Sequence, residues 1–379
     1  MAASDFFLSG PVLGIETSCD ETAVAVVING RVCANRVSTQ IPVHRRFGGV
    51  VPEIASRNHL LTILPTIQIA LADVGLRGPD LAGIAVTNNP GLMGALLVGV
   101  QTAKTLAMAW DVPLLGVHHI EAHCWAAMMA PPSQPASGDD AGDWPQPKLP
   151  CLALAVSGGH SSLYRLAGPG QSELLGATLD DAAGEALDKF GKVLGLPYPA
   201  GPVIDQLAQG GDRRRYSLPR GLRNRRDLAM SFSGLKTAGR LAIEAAREAG
   251  CDTTDPAEQA DLCASYQDAV VTQLVRTTLR AARQFELQDV IIAGGVAANS
   301  QLRADLAAAC EADGRRAWAT PRPYCTDNGA MIAGLGSSLF QQGRRDDPLL
   351  LDASPTKRAT LATRKKQRDA ARQLPGRRQ

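Results

Sequence analysis

Aromatic side chains make up only 4% of the 379 residues. That scarcity argues against the broad base-stacking sheets with which RRM and single-strand-binding modules hold nucleic acid. A nucleic-acid partner would then be held by charge and shape. The eight cysteines (Cys19, Cys33, Cys124, Cys151, Cys251, Cys263, Cys310 and Cys325) contain no CxxC pair. A zinc ribbon, an iron–sulfur cluster and a disulfide framework are therefore not expected, and reduced thiols in a cytosol fit best. Neither GxxxxGK[ST] nor GxGxxG occurs, which removes the P-loop and dinucleotide fingerprints. The first ten residues lack both a basic start and a long apolar stretch, so no signal or transit peptide is expected. Residues 81–103 carry no charge, but Thr87-Asn88-Asn89-Pro90-Gly91 breaks them into strand, turn and helix, and no membrane association is expected.

What is present describes a globular chain of two or three domains' length, 45% hydrophobic and 20% charged, with 37 glycines. The net charge of +2 conceals an asymmetry. Residues 357–379 hold nine Lys/Arg and one Asp, net +8, so the rest of the chain sums to −6. Beyond residue 352 the sequence is polar and basic, and disorder is expected over 353–379.

Residues 12–19 read as a strand running into an acidic loop, and residues 23–28 and 31–37 as a hairpin around Asn29-Gly30 with a type I′ turn. The same plan returns about 140 residues later: residues 151–156 form an apolar strand, Ser157-Gly158-Gly159-His160 a tight loop, and residues 161–166 a second strand before Gly168-Pro169-Gly170. Between them, residues 131–147 are rich in Pro, Ser, Gly and Asp and read as a surface linker. Helical periodicity marks residues 53–74, 91–110, 180–194, 261–283 and 299–310, with a further strand at 289–293 and strand-like residues 317–324. The expectation is a two-lobed α/β protein: residues 1–130 as the first lobe, 131–150 as linker, and 151–352 as the second lobe, returning to the first near its end.

His119 and His123 are four apart, so on a helix they share a face and can converge on one metal ion. The alternative is a pair of core or capping histidines. HExxH would place the glutamate directly after the first histidine, whereas Glu121 stands two residues on, so a zinc peptidase lacks its general base. Asp327, after the strand-like run, is a third ligand or merely the cap of the helix that follows. The pairs Gly158-Gly159 and Gly294-Gly295 follow apolar strands and allow backbone N–H groups close approach to an anion or ribose, although a plain tight turn explains each alone. Asp188 is a candidate acceptor for ribose hydroxyls or an ordinary helix carboxylate. Seven arginines between Arg213 and Arg226 form either a phosphate patch or a solvated loop.

Taken in order, Gly14-Ile15-Glu16-Thr17-Ser18-Cys19-Asp20-Glu21-Thr22, Gly49-Val50-Val51-Pro52-Glu53-Ile54-Ala55-Ser56-Arg57-Asn58-His59, His119 to His123, Val156 to His160, Asp180 to Glu185, Ser231-Phe232-Ser233-Gly234-Leu235-Lys236, Gly294 to Asn299 and Cys325 to Met331 resemble one family. It is the tRNA N6-adenosine threonylcarbamoyltransferases, the TsaD/Kae/Gcp family, in its bacterial form. The likeness runs from about residue 12 to about residue 340. It implies the actin/Hsp70/sugar-kinase (ASKHA) fold, with a nucleotide cleft between two hairpin-led lobes. It makes His119, His123 and Asp327 the ligands of a divalent metal, Fe(2+) in preference to Zn(2+). It places Ala155, Val156, Ser157, Gly158, Gly159, Asp188, Gly201 and Asn299 on the adenylate, and Glu21 is the candidate for proton handling. The implied reaction moves the threonylcarbamoyl group from threonylcarbamoyl-AMP to N6 of the adenosine just 3′ of the tRNA anticodon. The implied partners are tRNA, an inactive TsaB-like paralogue and a TsaE-like ATPase, in the cytoplasm. Four departures stand out: Asn88-Asn89-Pro90-Gly91 where Gly-Pro-Gly is usual, Ala200 for a glycine, a 131–147 loop longer than usual, and the basic tail. The rivals are a small-molecule kinase of the same fold, which has no need of HxxxH with a distal Asp, a metalloendopeptidase, and a non-catalytic binding scaffold like the inactive paralogue, which would be expected to have lost the His119, His123 and Asp327 set.

Overall fold

The computed structural model describes residues 3–131, 144–222 and 227–355. Strands β1 (Pro11–Glu16), β2 (Glu21–Ile28) and β3 (Arg31–Thr39) form the expected opening hairpins. Asn29 and Gly30 both take positive φ, 50° and 75°, the backbone a type I′ turn demands. Helix α1 (Ile41–His44), α2 (Pro52–Asp73), β4 (Gly83–Asn89), α3 (Met93–Trp110), β5 (Leu114–His118) and α4 (His119–Trp125) follow. The sheet order is β3-β2-β1-β4-β5, antiparallel through the hairpins and parallel from β1 to β5.

The second half is built from β6 (Cys151–Val156), β7 (Ser161–Gly168), β8 (Gln171–Ala177), α5 (Ala183–Val193), α6 (Gly201–Ala208), α7 (Ser233–Glu248), α8 (Pro256–Gln284), β9 (Asp289–Ala293), α9 (Ser300–Ala312), β10 (Arg316–Ala319) and α10 (Gly329–Gln341). Its sheet order, β8-β7-β6-β9-β10, repeats the first strand for strand, with the same directions. Every residue of β6 and β9 is buried, as the near-continuous apolar sequence of central parallel strands requires. This is the two-lobed α/β fold expected from the duplicated hairpins.

The two halves exchange a helix. Helix α4 leaves β5 but packs on β6 and β9 of the other sheet, and α10 leaves β10 but packs on β1, β2 and β4. The two helices touch where they pass. Contact of α10 with the first sheet depends on paired glycines. A Cβ on Gly14 would lie 2.3 Å from the Gly329 carbonyl oxygen, and one on Gly329 would lie 2.4 Å from the Ala25 nitrogen.

Several expectations need correction. The strand-like run at 317–324 is a strand only to Ala319; Pro321 and Pro323 turn the rest into a short 3-10 helix, Arg322–Tyr324. The end of the 131–147 linker is not surface: Trp144 is buried, donates to the Met128 carbonyl at 3.0 Å and packs near Phe7, while residues 132–143 lie outside the described residues. Helix α8 begins earlier than expected because Asp255 caps it, accepting from the Ala257 and Glu258 nitrogens. Residues 353–355, expected to open a disordered tail, are placed: Ala353 is buried and the Ser354 nitrogen donates to the Asn88 carbonyl. Residues 356–379 lie outside the described residues.

Candidate metal and nucleotide site

The histidines sit on α4, whose first turn is capped by His118, its Nδ1 accepting from the Glu121 nitrogen. One face of that short helix carries both His119 and His123, each buried, with ring centres 4.7 Å apart. Asp327 arrives from the other exchanged element, just before α10. His123 Nε2 lies 3.1 Å and His119 Nε2 3.5 Å from Asp327 Oδ1. One candidate ligand atom from each of the three residues fits within a 4.8 Å spread. The capping alternative for Asp327 falls away, since Asn328 caps α10 by accepting from the Met331 nitrogen.

Behind His119 stands Glu16, the last residue of β1 and buried. Its Oε2 lies 2.9 Å from His119 Nδ1 and accepts from the Thr87 hydroxyl at 2.6 Å; its Oε1 accepts from the Ser18 nitrogen. A carboxylate on Nδ1 fixes the tautomer that presents Nε2 to Asp327, the second-partner arrangement common at metal-bound histidines. Burial works against charge on Asp327, but the imidazoles of His119 and His123 hold it well below the usual carboxylate range. Burial likewise opposes the charge on His119, and Glu16 and Asp327 overcome it, lifting the imidazole to about 9. His123 is pushed down by burial. Two neutral-capable imidazoles and an ionised carboxylate meeting at one point are a donor set that fits a borderline divalent cation.

The acidic loop Cys19-Asp20-Glu21 faces the same point. Glu21 accepts from the Thr39 hydroxyl at 2.9 Å, and burial, then Asp20 and Asp327, raise its carboxyl to about 9. The loop is braced by buried His59, whose Nε2 lies 3.0 Å from the Cys19 carbonyl and Nδ1 2.7 Å from the Thr22 hydroxyl. His160 approaches from the glycine loop; burial and then the charges of His119 and His123 lower it to about 4. Glu121 is turned away, accepting from Ser172 on β8.

Around the expected adenylate residues, Ala155 and Val156 are the buried end of β6. Ser157–His160 closes as a tight turn, with the Ser157 nitrogen donating to the His160 carbonyl. The loop is wedged between α5 and β9: a Cβ on Gly184 would strike the Ser157 carbonyl at 2.7 Å, and Gly294, at φ +90, would strike that of Val156 at 2.5 Å. By contrast, Cβ atoms on Gly158, Gly159, Gly201 and Gly295 would meet nothing within 4 Å. These four border open space. Asp188 Oδ1 accepts from the Ala200 and Gly201 nitrogens at 2.8 and 3.3 Å, so it tethers the start of α6, and burial raises its carboxyl. Asn299 caps α9 through Oδ1 and donates through Nδ2 to Gln267. Both polar atoms of that side chain are engaged within the fold. Asp205 links these elements: it accepts from the nitrogen and hydroxyl of Ser300 and from Gln267, tying α6 and its Gly201 to Asn299.

The sequence reading missed Glu16, His59 and Asp205 as supports. Glu16 had a signal, a carboxylate ending an otherwise apolar strand; the other two are separated from their partners by 40 and 95 residues. Of the described arginines in the basic stretch, Arg213 pairs with Asp305 and Arg220 with Asp268, while 223–226 lie outside the described residues.

Comparison with known proteins decides the family. The family model described as "tRNA N6-adenosine threonylcarbamoyltransferase" matches residues 31–334. The chain belongs to that family. It is 51% identical over 340 residues to the tRNA N6-adenosine threonylcarbamoyltransferase of Anaeromyxobacter dehalogenans (strain 2CP-1 / ATCC BAA-258), covering 89% of this chain and 96% of that one. It is 47% identical to the protein of that name from Moorella thermoacetica, covering 91% and 96%. Like its relatives it is an acyltransferase enzyme. Among solved structures it is similar to T.kodakarensis HypF (TM-score 0.57, 18% identity) and to full-length HypF in its phosphate- and nucleotide-bound form (TM-score 0.55, 12% identity). Each covers 89% of this chain, which spans 48% and 47% of theirs, and they support the two-lobed ASKHA-type fold alone. No helix among the described residues is long and apolar enough to cross a membrane.

Proposed function

We propose that this family member transfers the threonylcarbamoyl group of threonylcarbamoyl-AMP to N6 of the adenosine just 3′ of the anticodon, in tRNAs reading codons that begin with A, releasing AMP. The observation that carries the reading is the convergence of His119, His123 and Asp327 beside glycines that border open space. An aromatic amine is a weak nucleophile, so the site has to orient both partners and stabilise charge developing on the carbamoyl oxygen. A divalent ion on His119, His123 and Asp327, iron(II) in preference to zinc(II), would supply Lewis acidity toward the donor's carbamoyl and phosphate oxygens. Ala155 to Gly159 offer backbone N–H groups to the adenylate, Gly201 permits its close approach, Asp188 Oδ2 accepts from ribose, and Asn299 holds the wall opposite. Glu21, its carboxyl raised to about 9 and so protonated at neutral pH, is the candidate for proton handling, and only its ionised form takes the proton that leaves the amine.

Further parts of the same reading are a first lobe of residues 1–130, a second of 151–352, and cytoplasmic action with a TsaB-like paralogue and a TsaE-like ATPase. Leu60, Leu61 and Leu64 on α2 and Met93 and Leu97 on α3 are exposed on adjacent helices, an apolar face suited to a like-folded subunit. The test is mass spectrometry of nucleosides from tRNA incubated with the protein, its bacterial partners, threonine, bicarbonate and ATP. Threonylcarbamoyladenosine is the expected product. Phosphorylation of a small substrate instead would favour a kinase of the same fold.

A further inference from the structure

We propose that Phe47, with Arg46 lying on its ring and Lys192 beside its turn, is a platform on which an unpaired base of the RNA substrate stacks while the neighbouring adenosine enters the cleft. The inference rests on the RNA reading above and adds a contact surface to it. All seven Phe, five Tyr and four Trp are described, and Phe47 alone among them is exposed, at 48%. A chain so poor in aromatics gives up a large apolar burial by leaving that one ring in solvent.

The ring is not on a loose loop. His44, just before it, is buried, with Nε2 3.2 Å from Gln40 Oε1 and Nδ1 accepting from the Val51 nitrogen, so both ends of the turn are pinned. Gly48 closes the turn at φ 69. The turn also reaches across the cleft: Arg45 Nε donates to the Tyr198 carbonyl at 3.3 Å, and a Cβ on Gly48 would lie 3.5 Å from Lys192 Nζ. Lys192 is one helical turn beyond Asp188 on α5. Tyr198 is raised by burial and then by the charges of Asp20 and Asp188, one from each wall. Phe47 is thereby held at the mouth of the site.

Charge supports the same occupant. The Arg46 guanidinium carbon lies 4.8 Å from the Phe47 ring centre. Among the described residues, neither Arg46 nor Lys192 forms an ion pair, and the Arg45 side chain bonds only to a carbonyl. An exposed ring with unneutralised cations around it matches an unstacked base flanked by phosphates. Because an adenosine in a loop must leave its stack to react, a platform for its neighbour offsets the unstacking.

The test is binding of an anticodon stem-loop RNA, and separately of AMP, to the assembled enzyme. Phe47→Ala is expected to weaken RNA binding about tenfold or more, leaving AMP affinity and metal content unchanged. Phe47→Tyr and Phe47→Trp should restore binding, Phe47→Leu should not, and Arg46→Gln should flatten its salt dependence. Leu serving as well as Phe would reduce the ring to packing, and loss of AMP affinity instead would make it a wall of the nucleotide pocket. Either result, or undiminished RNA binding by Phe47→Ala, overturns the proposal. A wild-type enzyme that binds the RNA but modifies nothing would sink the transferase reading, while the Phe47 comparison would still be read from binding.

Discussion

The two nitrogens of His119 have separate partners: Nδ1 meets Glu16 at 2.9 Å, and Nε2 points to Asp327. Removing either imidazole, by His119→Ala or His123→Ala, is expected to strip the bound metal and abolish transfer. Elemental analysis of the purified variants checks this, and full occupancy in both would refute it. Asp188→Ala should instead weaken AMP binding by roughly tenfold or more, the order of a hydrogen bond to a charged group, with metal content unchanged. Calorimetry with AMP reads it, and unaltered affinity would remove Asp188 from the ligand wall. Since Asp188 also tethers the start of α6, Asp188→Asn serves as the milder control. At this scale the sequence spacing was enough to pair His119 with His123, because four residues make about one helical turn. Asp327, over 200 residues away, is open from its sequence context as either a third ligand or a helix cap, and only the family resemblance chooses between the two.

The helices α4 and α10 show what local pattern cannot carry. Each hairpin was legible because strand period and the Asn29-Gly30 turn are local, and the same holds for the duplication. Which sheet a helix covers is set by distant surfaces, and neither His119-Ile120-Glu121-Ala122-His123 nor Gly329-Ala330-Met331 announces that it crosses to the opposite lobe. The short glycine contact between β1 and α10 is the element-level consequence. Gly329→Ala would force a Cβ to within 2.4 Å of the Ala25 backbone nitrogen, an overpacking that costs about 1–3 kcal/mol. The expected outcome is a lower Tm together with weaker metal retention, because Asp327 stands two residues before Gly329. Thermal denaturation with metal analysis tests both. An unchanged Tm would mean that α10 can slide on the sheet without loss.

For the whole molecule, the path of the chain after α10 gives the basic tail a defined point of departure. Gly116 donates to Asp346 at 2.8 Å, Lys104 holds the Leu351 carbonyl at 2.9 Å, and Ser354 donates to Asn88. Asn88 follows Thr87, which bonds the glutamate behind His119, and its neighbour Asn89 stands in register with His118. The Asn88-Asn89 departure from the usual Gly-Pro-Gly thus falls where the last described residues are fastened to the rim of the site. Residues 357–379 carry a net charge of +8 from that point. Charge of this density neutralises RNA phosphates, and each phosphate contact contributes roughly 0.7–0.9 to the slope of log affinity against log salt. Deleting residues 357–379 is therefore expected to weaken tRNA binding and flatten that slope, while turnover at saturating tRNA stays the same. Titrations across a salt series with the full-length and shortened proteins measure it. Identical slopes would leave the tail as a solubilising segment, with the contacts of residues 346–354 serving only to hold β4 and β5 in place.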